Sequence, residues 1–174
     1  NISIIGKGAS QTILDGQHAV SGLRYSLATG ETFTIQGVTI KDCVGGDGPA
    51  ITVTGGELVL INTALLDNVA SGSKAGGGAI LASGGASLVV QGSEISRNSS
   101  ISFGGAILLT DSGTTAQITD CLFGGNESFY GGAIYVSDAT TCTVDLVEFT
   151  NNTAAVDGGA VSITGDGSSF TSCC

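Results

Sequence analysis

The residues best equipped to do chemistry in this chain are its carboxylates. Asp15, Asp42, Asp47, Asp67, Asp111, Asp120, Asp138 and Asp157 lie mostly one to a stretch of Gly, Asn and Ser. Two carboxyl groups flanking a sugar would make a glycoside hydrolase, and a carboxylate cluster holding Ca²⁺ beside a Lys or Arg base would make a lyase. The spacing supports neither arrangement. Asp42 and Asp120 stand in matching strings, Ile40-Lys41-Asp42-Cys43 and Ile118-Thr119-Asp120-Cys121, but far apart in the chain. Solvated turn residues and Asx-turns account for these acids, so no catalytic residue is assigned.

Other constellations are excluded more directly. His18 is the only histidine, which rules out a His-based triad or a multi-His metal site within this chain. Gly45-Gly46-Asp47-Gly48 has the look of one turn of a calcium nonapeptide array but occurs once, and no metal or cofactor site is assigned. Thr32-Phe33-Thr34 and Thr52-Val53-Thr54 could line an ice-binding face, yet the pairs do not recur with any period. Of the five cysteines, Cys43 and Cys121 read as equivalent positions several repeats apart, too distant to bridge. With Cys142 they read as small buried hydrophobes. Cys173 and Cys174 are the disulfide candidates, to a following segment or a partner chain. Four Asn-x-Ser/Thr sequons begin at Asn1, Asn98, Asn126 and Asn151.

The elements that must position these residues are short and repetitive. Gly77-Gly78-Ala79-Ile80 returns as Gly104-Gly105-Ala106-Ile107, Gly131-Gly132-Ala133-Ile134 and Gly158-Gly159-Ala160-Val161, at a constant step of 27 residues. A fainter copy is Gly48-Pro49-Ala50-Ile51. Phe123-Gly124-Gly125-Asn126 and Phe149-Thr150-Asn151-Asn152 run in phase with it, and Leu65 to Asn68 and Ile95 to Asn98 are aliphatic versions. Between the motifs the hydrophobic period is 2, as in Ser87-Leu88-Val89-Val90-Gln91, and no helical face of ten residues exists. Two or three short strands per repeat with no crossover helix describe one coil of a β-solenoid, each strand pairing in parallel with its copy at ~4.8 Å. The whole of 1–174 reads as one such domain, with irregular coils over 1–47, full repeats over 48–165 and a partial last coil over 166–174. About six to seven coils would make a rod of roughly 30 Å. In this reading the Asn of Phe-x-x-Asn sits at a corner in left-handed conformation and bonds to the Asn above and below. Asn98 and Asn126 then point inward, while Asn151, one residue before Asn152, points outward and is the first choice for a glycan.

Composition agrees. Gly supplies 29 of 174 residues, over twice the usual share of about 7%, with no collagen period. Five Lys/Arg against fifteen Asp/Glu leave a net charge of −10, and the five cations are scattered singly, so no nucleic-acid partner is expected. No apolar run is long enough to span a bilayer, so no membrane insertion is expected either. The chain lacks an initiator Met and a signal peptide and reads as a mature or excised segment.

The paired Gly-Gly-Ala-(Ile/Val) and Phe-x-x-Asn tetrapeptides over roughly 48–165 resemble the chlamydial polymorphic outer-membrane protein repeat family. Ile2 to Gly16 is similar to the first coil of many pectin-lyase-like β-helices. The resemblance implies an all-β fold, a right-handed parallel β-helix, at the extracellular cell surface, as an adhesin or structural coat module. The family's C-terminal translocator barrel is either missing from this segment or absent from the protein, and 1–47 lacks the full motifs. Open strand edges at the rod ends would invite homo-oligomers or filaments. An extracellular or host-cell glycan or protein is the expected ligand, and a polysaccharide lyase or hydrolase of the same fold is the rival.

Overall fold

The computed structural model describes residues 1–72 and 76–173, and only the backbone of Cys173. Segments of two to five alternating residues are too short to build a sheet alone, so each finds its partner one coil later. Among the described residues twenty-four strands result, stacked into four parallel sheets that form the faces of a β-solenoid. The first face runs from Ile2–Ile5 through Thr32–Gln36, Glu57–Ile61, Ser87–Gln91, Thr115–Thr119 and Thr141–Asp145 to Ser169–Cys173. The second begins at Ile13–Asp15 and ends at Glu148–Thr150, the third at Val44–Gly45 and Thr153–Asp157, and the fourth at Leu23–Ser26 and Val161–Ile163. The chain thus has four strands per full coil, where the hydrophobic pattern indicates two or three. The third face escapes that pattern because its strands are short and their inward residues small: Ala70, Ser100 and Ser128.

Like stacks on like in the core. Ile51, Ile80, Ile107 and Ile134 form one continuous inner column, Leu58, Leu88, Ala116 and Cys142 another, and Ile40, Leu65, Ile95 and Phe123 a third. Phe149 continues the third column, its ring stacked on Phe123 at a centroid distance of 5.2 Å. Each of these side chains excludes water only because its copies lie directly above and below, and full burial of one Ile, Leu or Phe stabilises by about 1.5–3 kcal/mol.

Two corners have constant geometry. From Phe33 onward the step from first to second face is seven residues in every coil, Phe33 to Ile40, Leu58 to Leu65, Leu88 to Ile95, Ala116 to Phe123 and Cys142 to Phe149. From second to third it is always four, as from Ile40 to Val44 and from Phe149 to Thr153. Each corner turns on one residue of left-handed backbone. Gly37, Asn62, Gly92, Asp120 and Leu146 serve the first, and Asp42, Asp67, Arg97, Gly125 and Asn151 the second. The left-handed residue is therefore the one before the Asn of Phe-x-x-Asn, and the Asn itself is released to point inward. The same register corrects the cysteine reading. Cys43 occupies the Asn position, beside Asn68, whereas Cys121 stands two residues before Phe123, where the neighbouring coil has Ser93.

Those inward amides form a ladder. Asn68 Nδ2 donates to Asn98 Oδ1 at 2.9 Å, Asn98 Nδ2 to Asn126 Oδ1 at 3.1 Å and Asn126 Nδ2 to Asn152 Oδ1 at 2.9 Å. The second Nδ2 hydrogen goes back to a carbonyl of the preceding coil, that of Ile40, Leu65, Ile95 or Phe123. Each Oδ1 also accepts a backbone N–H, from Cys43, Asn68, Asn98 and Asn126 in turn. Every polar atom of the three buried amides, Asn68, Asn98 and Asn126, is satisfied, as burial demands.

The other two connections vary in length. Third to fourth face takes seven residues from Val44 to Ile51 but eleven from Val69 to Ile80. Fourth to first takes between seven, Ile51 to Leu58, and ten, Leu23 to Phe33. The Gly-Gly-Ala motif closes the former. Gly104 has φ of 59°, and a Cβ on Gly105 would run into Gly132 O, so one glycine makes the turn and the other permits close backbone approach. Ala106 N–H and Ile107 N–H then both donate to Ala133 O at 2.9 Å and start the fourth face in register.

The ladder predicts a graded series. Asn126→Ala strands Asn98 N–H and the Ile95 carbonyl and is expected to cost about 1–3 kcal/mol. Asn152→Ala, at the half-buried last rung, should cost less. Asn151→Gly is the neutral control, within about 0.5 kcal/mol; Ala there would itself be strained, because φ is 54°. Urea unfolding of the three, made without glycans, checks the order, and a larger loss for Asn151→Gly would refute the register.

Candidate binding site

The acids singled out in the sequence are placed mainly at corners. Asp42, Asp67, Asp111, Asp120 and Asp138 all have left-handed backbone, which Asp tolerates well. Asp47 Oδ1 accepts from Gly76 N–H at 2.9 Å and Asp111 Oδ2 from Gly84 N–H at 3.0 Å. The Thr110 and Ser137 hydroxyls donate to Asp138 and hold its carboxyl below the usual range. The two Thr-x-Thr pairs fall on different faces, so they form no common array.

Charges converge in one place, at the second corner of the early coils. Lys41 Nζ lies 3.0 Å from Asp15 Oδ2 and 2.7 Å from Asp42 Oδ2, and His18 Nε2 lies 3.4 Å from Asp42 Oδ1. The Gln17 N–H, then Lys41, hold the Asp15 carboxyl below its ordinary value. Asp42 and Asp15 in turn raise Lys41 above the usual ammonium value. In the next coils of the same corner column, Arg97 Nε and Nη2 grip the two Asp67 oxygens at 2.8 and 2.9 Å. These cations are engaged as cations. A lysine fixed between two carboxylates is a poor acceptor of a substrate proton.

The more open site is aromatic. Only 5% of the chain is aromatic, yet Phe103, Phe129, Tyr130 and Tyr135 gather where the third face gives way to the fourth: Phe103 on the connection, Phe129 and Tyr130 at the end of the third-face strand Glu127–Tyr130, and Tyr135 in the fourth-face strand Ile134–Val136. Phe103 and Tyr130 occupy the same position in successive coils, immediately before Gly-Gly, and their rings stack at 5.6 Å and 18°. Tyr135, two strand positions along the fourth face, leans on Phe103 at 4.7 Å and shares a 2.8 Å hydrogen bond with Thr164. Phe129 meets Tyr130 edge-on at 5.3 Å and remains 47% exposed. Exposed Ile101 and Val156 extend the apolar surface, and Ser99, Glu127 and Ala155 line the shallow depression beside Phe129. The next coil places Asp157 in register with Tyr130. Sequence reasoning missed this corner. The available signal was the residue before Gly-Gly, which reads Gly76, Phe103, Tyr130 and Asp157 down the coils.

With coils, register and corners in place, comparison with known proteins is unambiguous about family. The model of the right handed beta helix region matches residues 21–174. The chain belongs to that family. No curated protein and no solved structure matches it. Among the described residues of this right-handed β-helix, no helix is long and apolar enough to cross a membrane.

Of the expected glycan acceptors, Asn98 and Asn126 are fully buried, and Asn1 and Asn151 are exposed. The terminal disulfide expected of Cys173 and Cys174 lies outside what is described. Cys43, Cys121 and Cys142 are free and buried in the β-helix core. Burial raises all three thiols and pushes Cys142 up to about 12, so little thiolate forms at neutral pH. Alkylation of the folded chain at pH 8 should therefore leave these three unmodified, and guanidinium should expose all of them, as read by peptide mass mapping. Rapid labelling of Cys142 without denaturant would contradict a closed core.

Proposed function

We propose that this β-helix is an exported, surface-displayed binding module of the adhesin type, and that the aromatic corner is its ligand contact. The observation that carries the proposal is the gathering of four rings outside the core at the junction of the third and fourth faces, Phe129 exposed and Phe103, Tyr130 and Tyr135 half-buried. Exposed aromatic patches rimmed by polar groups are a common mark of interaction sites, and functional residues concentrate on connections held by a rigid scaffold. The likeness of the repeats to polymorphic outer-membrane proteins and the low share of charged residues, 11% of the chain, support the same reading. Glu127, Asp157 and a net charge of −10 repel anionic polymers, whereas ring faces accept the C–H face of a neutral sugar. We infer that the ligand is a neutral extracellular glycan.

Titration against neutral, amino and acidic oligosaccharides tests this. Neutral glycans should bind, and Phe129→Ala should weaken binding roughly tenfold, equivalent to about 1.4 kcal/mol, at unchanged melting temperature. Binding that is indifferent to Phe129 and Tyr130, or absent across the panel, would overturn the assignment.

The meeting of Asp15, Lys41, Asp42 and His18 favours a second reading, a polysaccharide-active enzyme. It requires Lys41-dependent release of reducing ends or unsaturated products from pectin or alginate. The ion pairing of Lys41 predicts no such release; appearance of product, lost in Lys41→Ala, would install the enzyme in place of the binding module.

A further inference from the structure

The four sequons are not equivalent once the chain is coiled, and the difference assigns a modification site. A glycan replaces one hydrogen of the asparagine Nδ2. At Asn98 both Nδ2 hydrogens are committed, to Leu65 O at 3.0 Å and Asn126 Oδ1 at 3.1 Å. At Asn126 they go to Ile95 O and Asn152 Oδ1, each at 2.9 Å. Both side chains are 0% exposed. A sugar on either would break a rung and has no space between the coils. A chain carrying one there could not close that coil.

Asn151 is in the opposite situation, although it shares the same corner. Its left-handed backbone, φ 54°, turns the side chain outward just before Asn152 enters the ladder. Among the described residues, neither the Asn151 amide nor the Thr153 hydroxyl has a hydrogen-bond partner, and both residues are exposed. The neighbour one coil earlier in this corner column is Gly125, which has no side chain to crowd a sugar, and the Arg97–Asp67 pair lies further down. Asn1 is exposed too, but it precedes the repeats and its Oδ1 accepts from Thr32 N–H at 3.3 Å. Asn151 is thus the sequon within the repeats at which the fold accepts a large substituent without losing a contact.

We propose that Asn151 is an N-glycosylation site and that Asn98 and Asn126 are not, a proposal that rests on the exported reading given above. The donor is a lipid-linked oligosaccharide diphosphate of a secretory membrane. The bond from sugar C1 to the diphosphate oxygen breaks, and the bond from C1 to Asn151 Nδ2 forms. The lipid diphosphate departs with the electron pair, and the amide proton passes to base. Nothing is oxidised or reduced. The ladder acts as the filter: transfer to Asn98 or Asn126 on a nascent chain yields a product that cannot fold, so within the repeats mature molecules carry sugar at the corner alone.

The full chain, led into the secretory pathway of cultured insect cells by a signal peptide, tests this in medium and in cell extract separately. Enzymatic removal of N-glycans in ¹⁸O-water converts an occupied Asn to labelled Asp. Label is expected at Asn151 in the medium, with a downward gel shift on deglycosylation, and Thr153→Ala should abolish the label at Asn151 while secretion continues. Secreted chain unlabelled at Asn151, or labelled at Asn98 or Asn126, overturns the site assignment. Chain confined to the extract but labelled at Asn151 leaves the site standing and counts against the exported reading; chain in the extract without that label overturns the site as well.

Discussion

The structure depends on the hydrogen bond between identical amides in successive coils. Asn68, Asn98, Asn126 and Asn152 each sit where the chain passes from the second to the third face. A buried amide without partners costs about 1–3 kcal/mol, so a coil slipped by one residue would incur that cost and also turn its apolar residues outward. Apolar columns alone are more permissive, since Ile on Leu packs nearly as well as Ile on Ile. The ladder therefore supplies the register, and the aliphatic columns supply most of the driving force.

Everything adjoining the ladder is correspondingly rigid. The seven-residue and four-residue steps on either side of the second face are the same in all five coils from Phe33 onward. Their pivots have left-handed backbone, filled by Gly, Asn or Asp in most coils, with Arg97 and Leu146 as exceptions. Leu146 is exposed and gains no core contact in exchange, and the structure offers no reason for its presence. The aromatic corner lies elsewhere, where the third face gives way to the fourth over a step that ranges from seven to eleven residues.

The parts legible in the sequence were those repeated with constant spacing. Gly-Gly-Ala-(Ile/Val) at a step of 27 residues revealed the coil, and Phe-x-x-Asn revealed the Phe123–Phe149 stack and the inward amides. Local similarity of strings was misleading. Lys41-Asp42-Cys43 and Thr119-Asp120-Cys121 look alike because both contain a left-handed Asp, but one Asp precedes the ladder and the other the second face. The third face was hidden because Ala70, Ser100 and Ser128 leave no hydrophobic alternation to detect. The ring cluster was hidden because its members come from different strands and from a connection, so no window of sequence contains them all.

The unequal connections divide each coil into a spine and a display half. Four additional residues between Val69 and Ile80, relative to Val44 and Ile51, leave the pairing of Val69 with Val44 and of Ile80 with Ile51 intact. Mutation can therefore lengthen, shorten or replace the segment before Gly-Gly in one coil without retuning its neighbours, much as antibody loops diversify on a constant framework. A solenoid built this way can alter one half of its surface through changes in a few adjoining segments, while on the other half the amide ladder ties each coil to its neighbours.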